Sequence, residues 1–163
     1  MTKMVHIMTG SVNSGKTARM RELLQSIPGA DGILSEKLFD GACFHGYRVT
    51  HPATGDSREL ALLEEFYSGQ FAEACRIGRY VFSREALRFA REILLRLTVD
   101  DATLAIFLDE AGPLELRGEG FSDILPILLA CGKDLYITVR STCLERFMAQ
   151  YEICEFLLIP ASE

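Results

Sequence analysis

No two of the five cysteines, Cys43, Cys75, Cys131, Cys143 and Cys154, have the close Cys-x-x-Cys spacing of a zinc or redox site. Their number is odd, so they read as reduced, buried or half-buried thiols rather than as a disulfide frame. No apolar stretch approaches the ~20 residues that span a bilayer. The apolar run from Met4 meets Gly10 and then Lys16, which is not the pattern of a secretory leader. A basic stripe is also missing: the formal net charge is −6, with acidic and basic residues mixed along the chain. That argues against a protein drawn onto nucleic-acid backbones or anionic lipid. Internal repeats, low-complexity segments and linkers are absent. These absences predict a cytoplasmic protein without a DNA, RNA or membrane partner; they carry no reading of oligomeric state.

The chain does have the makings of one compact domain. Its 163 residues are 48% hydrophobic and 25% charged, enough for a full core. Met4–Thr9 fits a buried strand, in which His6 packs. A helix is expected from Lys16 to about Ser26, with Met20, Leu23, Leu24 and Ile27 at helical spacing and Pro28-Gly29 as its stop. Residues 29–82 read differently, as a β-excursion. Ile33–Phe39, Tyr47–Thr50, Arg58–Leu62 and Tyr80–Phe82 are short candidate strands separated by turn-rich sequence, and helical periodicity is patchy between Leu62 and Ala74.

Ser83 is placed to cap a helix, with Glu85 in its first turn and Leu87, Ala90, Ile93, Leu94 and Leu97 along one face. Thr103–Leu108 is apolar throughout, as a strand covered on both faces must be. A helix over Phe121–Ala130, a strand at Leu135–Val139, a helix at Leu144–Tyr151 and a strand at Phe156–Ile159 complete the chain. Strands alternating with helices predict a three-layer α/β/α domain, with a mostly parallel sheet and a β-hairpin excursion.

Gly10-Ser-Val-Asn-Ser-Gly-Lys-Thr17 matches the phosphate-binding pattern G-x-x-x-x-G-K-[ST] in full. It follows an apolar strand and opens an amphipathic helix, the context that a phosphate cradle of backbone amides requires. Gly10, Ser11, Val12, Asn13, Ser14, Gly15, Lys16, Thr17 and Ala18 are therefore the candidate nucleotide contacts. Lys16 would reach the β- and γ-phosphates, and Thr17 would place its hydroxyl on Mg²⁺. The second motif is Ala105-Ile-Phe-Leu-Asp109-Glu110, an apolar strand ending in two acids at the edge where open α/β sheets bind ligands. Asp109 is the second candidate Mg²⁺ contact, and Glu110 the candidate for polarising an attacking water.

Thr138 ends a neighbouring strand and could sense the γ-phosphate. Arg140, just beyond, is the candidate for stabilising transition-state charge; Arg79 and Arg117 are weaker candidates. Phe44, Tyr47 and Tyr80 could stack on a base or simply pack.

The order of these stretches resembles the small nucleoside-triphosphatase family first described from thermophiles, and an uncharacterised bacterial branch near it. The P-loop, Gly32-Ile-Leu-Ser-Glu36, Gly46-Tyr-Arg-Val, Ile77-Gly-Arg-Tyr-Val81 and Asp109-Glu-Ala-Gly-Pro-Leu-Glu-Leu116 followed by Phe121 carry the resemblance. It implies a RecA-like sheet, slow Mg²⁺-dependent hydrolysis of ATP, GTP or other nucleoside triphosphates, and membership of Glu115 in a family run. Two departures stand out. Lys37 lies where family members often have an arginine, and Thr138-Val-Arg-Ser141 replaces the family's basic, threonine-containing strand end. Three readings fit the residues: a triphosphatase, a phosphotransferase with an acceptor pocket in 29–82, or a nucleotide switch with little catalysis.

Overall fold

The computed structural model describes residues 3–10, 15–111 and 113–160. Ser11, Val12, Asn13 and Ser14 of the phosphate loop lie outside the described residues. Strands β1 (Val5–Gly10), β2 (Ala30–Asp40), β3 (Cys43–His51), β4 (Asp56–Leu63), β5 (Ala74–Ile77), β6 (Tyr80–Ser83), β7 (Ala105–Ala111), β8 (Asp134–Arg140) and β9 (Leu157–Pro160) form one sheet. Their order is β5-β6-β4-β3-β2-β7-β8-β1-β9. The helices are α1 (Lys16–Ser26), α2 (Arg84–Val99), the single turn α3 (Pro113–Leu116), α4 (Leu125–Ala130) and α5 (Leu144–Gln150).

The expected α/β/α layering follows from how each element distributes its apolar residues. Along β1, β7 and β8 the side chains alternate between faces. Val5, Ile7, Ile106, Leu108, Leu135, Ile137 and Val139 share one cluster with α2, α4 and α5. Met8 and Phe107 join Leu34 of β2 and Met20 and Leu24 of α1 on the opposite face. Central β7 is covered on both sides, which is why its sequence shows no polar alternation. The Ser83 hydroxyl accepts the Ala86 amide proton at 3.1 Å and caps α2 as its sequence requires.

The excursion continues this same sheet. β2, β7, β8, β1 and β9 run parallel, and β3, β4, β6 and β5 extend the sheet in antiparallel fashion. β2 belongs to both halves. Ala30–Ile33 pairs parallel with Ala105–Leu108, and the strand then leaves β7 while Leu34–Asp40 pairs antiparallel with β3. Two glycines make these contacts possible. A Cβ on Gly32 would lie 2.2 Å from the Phe107 carbonyl oxygen, and one on Gly46 would lie 2.0 Å from that of Ala61. No side chain fits at either position without moving a strand. Both glycines stand in motifs by which the sequence resembles the triphosphatase family.

Some boundaries differ from the sequence reading. The helix expected from Phe121 begins at Leu125, with Pro126 in its first turn, where a missing N–H costs least. The Phe121 amide is held instead by the Glu115 carboxylate at 3.0 Å. β5, in a stretch without clear periodicity, is a four-residue strand paired with β6 across Gly78-Arg79. Cys43 and Cys154 are exposed rather than half-buried; all five cysteines are free thiols.

Candidate active site

The parallel β2–β7 pairing ends at Ile33 and Leu108, and a crevice opens beyond it at the C-terminal edge of the strands. Such a divergence is where open α/β sheets hold ligands. The ladder groups released there are used at once. The Ser35 N–H donates to Asp109 Oδ2 at 3.0 Å, and the Ser35 carbonyl lies 3.2 Å from the Thr17 hydroxyl. The Thr17 hydroxyl donates to Asp109 Oδ2 at 2.7 Å. The two motifs therefore meet across 92 residues of sequence.

Asp109 is fully buried, and desolvation pushes its carboxyl above the usual range. Its hydrogen bonds from Thr138, Thr17 and the Ser35 amide, with the nearby Lys16 charge, oppose that rise. Lys16 opens α1, only 5% exposed, and its ammonium donates to the Gly10 carbonyl at 3.2 Å. No acid occupies the first turn of α1, so the positive end of its dipole is left for an anion. Gly15, Lys16, Thr17, Ala18, Lys37, Tyr47 and Glu110 line a cleft of about 300 Å³ at this point.

Glu110 owes its position to a bulge. The β7–β8 register shifts between Leu108 and Ala111, so Asp109 and Glu110 together oppose the one residue Thr138. Glu110 takes a left-handed backbone, φ 67°, and its side chain leaves the sheet's alternation. The buried Thr138 hydroxyl serves both acids: it donates to Asp109 Oδ1 at 2.7 Å and accepts the Glu110 amide proton. Burial and the Asp109 charge raise the Glu110 carboxyl above the ordinary range, against the pull of Arg140, Lys16 and Lys37. This is the direction a group that accepts a proton near neutral pH needs.

A family model described as NTPase matches residues 5–158, nearly the whole chain. The chain belongs to that NTPase family. It is 27% identical to the nucleoside-triphosphatase THEP1 of Pyrococcus abyssi, over 85% of this chain and 75% of that protein. It is 28% identical to the THEP1 of Methanothermobacter thermautotrophicus, over 94% and 86%. Among solved structures it resembles THEP1 of Aquifex aeolicus, with a TM-score of 0.74 at 19% identity over 97% of this chain and 90% of that one. The solution structure of a human cancer-related nucleoside triphosphatase superposes with a TM-score of 0.69 at 20% identity, over 97% and 89%. These two likenesses speak for the fold.

Within this NTPase-family frame, Lys16, Thr17, Asp109 and Glu110 come together. Arg140 joins Glu110 on the wall of an adjoining cavity, where Arg79 and Arg117 also stand. Thr138, a candidate for sensing phosphate, is fully buried and its hydroxyl is engaged with the two acids. Glu115 is also buried and holds the turn before α4, while its carbonyl accepts from Gln150 and Tyr151 at 2.9 and 2.6 Å. Tyr47 and Tyr80 pack against each other, ring centroids 5.9 Å apart, and Phe44 lies edge-on to Tyr47. Burial and the neighbouring Tyr80 push the Tyr47 phenol upward, so it stays a neutral hydrogen-bonding group. The sequence reading missed Ser35. It acts through its backbone, so no side-chain pattern could have marked it.

Proposed function

We propose that this chain is a Mg²⁺-dependent nucleoside triphosphatase that releases phosphate from ATP, GTP and other nucleoside triphosphates. The observation that carries the reading is the 2.7 Å contact between the Thr17 hydroxyl and the buried Asp109 carboxylate, beside the buried Lys16. A hydroxyl and a carboxylate are hard oxygen donors of the kind Mg²⁺ takes from a protein before completing its shell with phosphate oxygens and water. Asp109 is a buried carboxylate opposed by Lys16, hydrogen bonds and little else, so a cation there is electrostatically welcome. Thr17 and Asp109 would hold the metal, which when bound neutralises phosphate charge.

The chain's own groups supply the rest. The Lys16 ammonium exchanges the Gly10 carbonyl for β- and γ-phosphate oxygens. Glu110, poised by its bulge and its raised proton affinity, orients a water and takes its proton. Arg140 supplies positive charge near Glu110, where charge accumulates on the transferring group. Positioning and electrostatics of this kind suffice, because phosphoryl transfer asks for little covalent help.

The test is phosphate release from ATP, GTP, CTP and UTP with Mg²⁺, for the native protein, Lys16→Ala and Glu110→Gln. Release from several nucleotides, lost in both variants, is expected. Tight nucleotide binding with no phosphate release from the native protein would sink the reading.

A further inference from the structure

Glu110 faces two spaces. One is the cleft shared with Lys16 and Thr17, and the other is a cavity of about 310 Å³ on its far side. Ser35, Tyr47 and Glu110 line both, so the two spaces meet at these three residues. A triphosphatase needs room at this meeting point for one water, about 30 Å³ of liquid volume. The second cavity has room for many waters and lies at the lower end of the range of small-molecule sites.

Its lining is not that of a water site. Leu60, Phe82, Leu87 and Phe121 make an apolar floor, and Tyr47 and Tyr80 present two aromatic rings. Arg79, Arg117 and Arg140 also line it, and Arg79 and Arg117 are exposed. Six arginines of this acidic chain, Arg19, Arg21, Arg58, Arg76, Arg88 and Arg91, each meet a carboxylate, whereas Arg48, Arg84, Arg96 and Arg146 are like the cavity arginines in having no salt bridge among the described residues. Among the described residues none of the three cavity arginines forms a salt bridge. Two carboxylates also line the cavity: Glu115, buried and bound to the Phe121 amide, and Glu110 at the edge shared with the cleft, while Arg79 already lies over the Tyr80 ring at 5.5 Å. Such an apolar, aromatic-walled room with guanidinium groups around it and Glu110 at its cleft side has a defined chemical complement. It is a flat apolar body with an anionic group at one end and a hydroxyl at the other.

We propose that this cavity binds a second substrate, a small anionic alcohol with an aromatic or similarly flat body, and that the γ-phosphoryl group passes to its hydroxyl. The inference rests on the nucleotide site described under the proposed function. The anion meets Arg79 and Arg117, the ring lies against Tyr47 and Tyr80, and the hydroxyl reaches Glu110. In the transfer step a bond forms between the acceptor oxygen and the γ-phosphorus. The bond from that phosphorus to the β–γ bridging oxygen breaks, and the nucleoside diphosphate leaves with that oxygen. The hydroxyl proton goes to Glu110. Water at the same carboxylate gives hydrolysis, so phosphate release is the reaction of the site with its second cavity unfilled.

The probe is para-hydroxymethylbenzoate, which carries the ring, the anion and the hydroxyl; benzyl alcohol lacks the anion and para-toluate lacks the hydroxyl. Native protein, Mg²⁺ and ATP labelled in its γ-phosphate are incubated with each compound, and ADP, inorganic phosphate and labelled ester are measured. A labelled ester from para-hydroxymethylbenzoate, with an equivalent drop in inorganic phosphate, is the expected result; benzyl alcohol should be about tenfold poorer. Para-toluate should bind and yield no ester. Titration of the nucleotide-free protein should show that Arg79→Glu and Arg117→Glu each weaken para-hydroxymethylbenzoate about tenfold at an unchanged melting temperature. Should ADP and phosphate form as before, with no ester and no binding of either acid, the second substrate is excluded and hydrolysis stands. Binding without ester overturns the transfer step. Absence of ADP from every mixture overturns the transfer and the triphosphatase reading together.

Discussion

The two halves of the sheet stand in different relations to the sequence. In the parallel half each strand is a short apolar run, and the candidate catalytic groups lie toward strand ends, with Lys16 close after β1, Asp109 within β7 and Arg140 at the end of β8. In the antiparallel half no catalytic motif appears, yet it supplies Ser35, Lys37 and Tyr47 to the nucleotide cleft and Leu60, Phe82 and Tyr80 to the second cavity. The parallel strands bring their candidate groups in near their C-terminal ends, whereas the antiparallel extension works as a surface. One half is read through motifs and the other through packing.

That contrast can be broken from either side. Glu110→Gln, at the tip of β7, should lower kcat for phosphate release by about 10²–10⁴-fold while leaving nucleotide affinity nearly intact. Steady-state kinetics with equilibrium nucleotide binding checks this, and a loss under tenfold would deny Glu110 its role. In the antiparallel half the large effect should be on folding instead. Gly46→Ala puts a Cβ 2.0 Å from the Ala61 carbonyl oxygen and should destabilise the protein by about 3 kcal/mol. Urea unfolding reads it. A change under about 0.5 kcal/mol would mean that β3 and β4 do not pair this closely.

Thr138→Val sharpens the comparison, because it touches the site through support alone. It removes the hydroxyl that donates to Asp109 and accepts from the Glu110 amide, at a cost of about 1–3 kcal/mol. Its phosphate release should fall with little change in KM, and Thr138→Ser should restore most of both.

The smallest effect concerns His6 in β1. Burial holds its imidazole below the ordinary range, with Asp134 opposing. The unfolded chain therefore binds the proton more readily, and this contribution to stability is full above about pH 6.5 and is lost as pH falls. Urea midpoints at about pH 5.5 and 8 should lie closer together in His6→Gln than in the native protein.

Much of the parallel half was legible because its signals are local. The phosphate loop, the apolar β7 and the Ser83 cap each lie within a few residues of sequence. The sequence could not reveal how β2 divides its pairing between β7 and β3, because that depends on strands distant in the chain. Nor could it reveal the bulge, since Asp109-Glu110 reads the same with or without an extra residue opposite Thr138. Thr138 itself illustrates the limit: its place at a strand end was visible, but its bonds to the two acids were not. β5 was hidden by its brevity and by polar neighbours that leave it only partly buried.

The left-handed backbone at Glu110 has a consequence for how this position can evolve. A side chain there carries a conformational strain of about 1–2 kcal/mol that glycine does not feel. A library screened only for thermal tolerance would therefore drift toward glycine or asparagine at 110 and yield sturdier, idle proteins. Selection for turnover would hold the carboxylate in place against that drift, so the two kinds of screen should part company first at this residue.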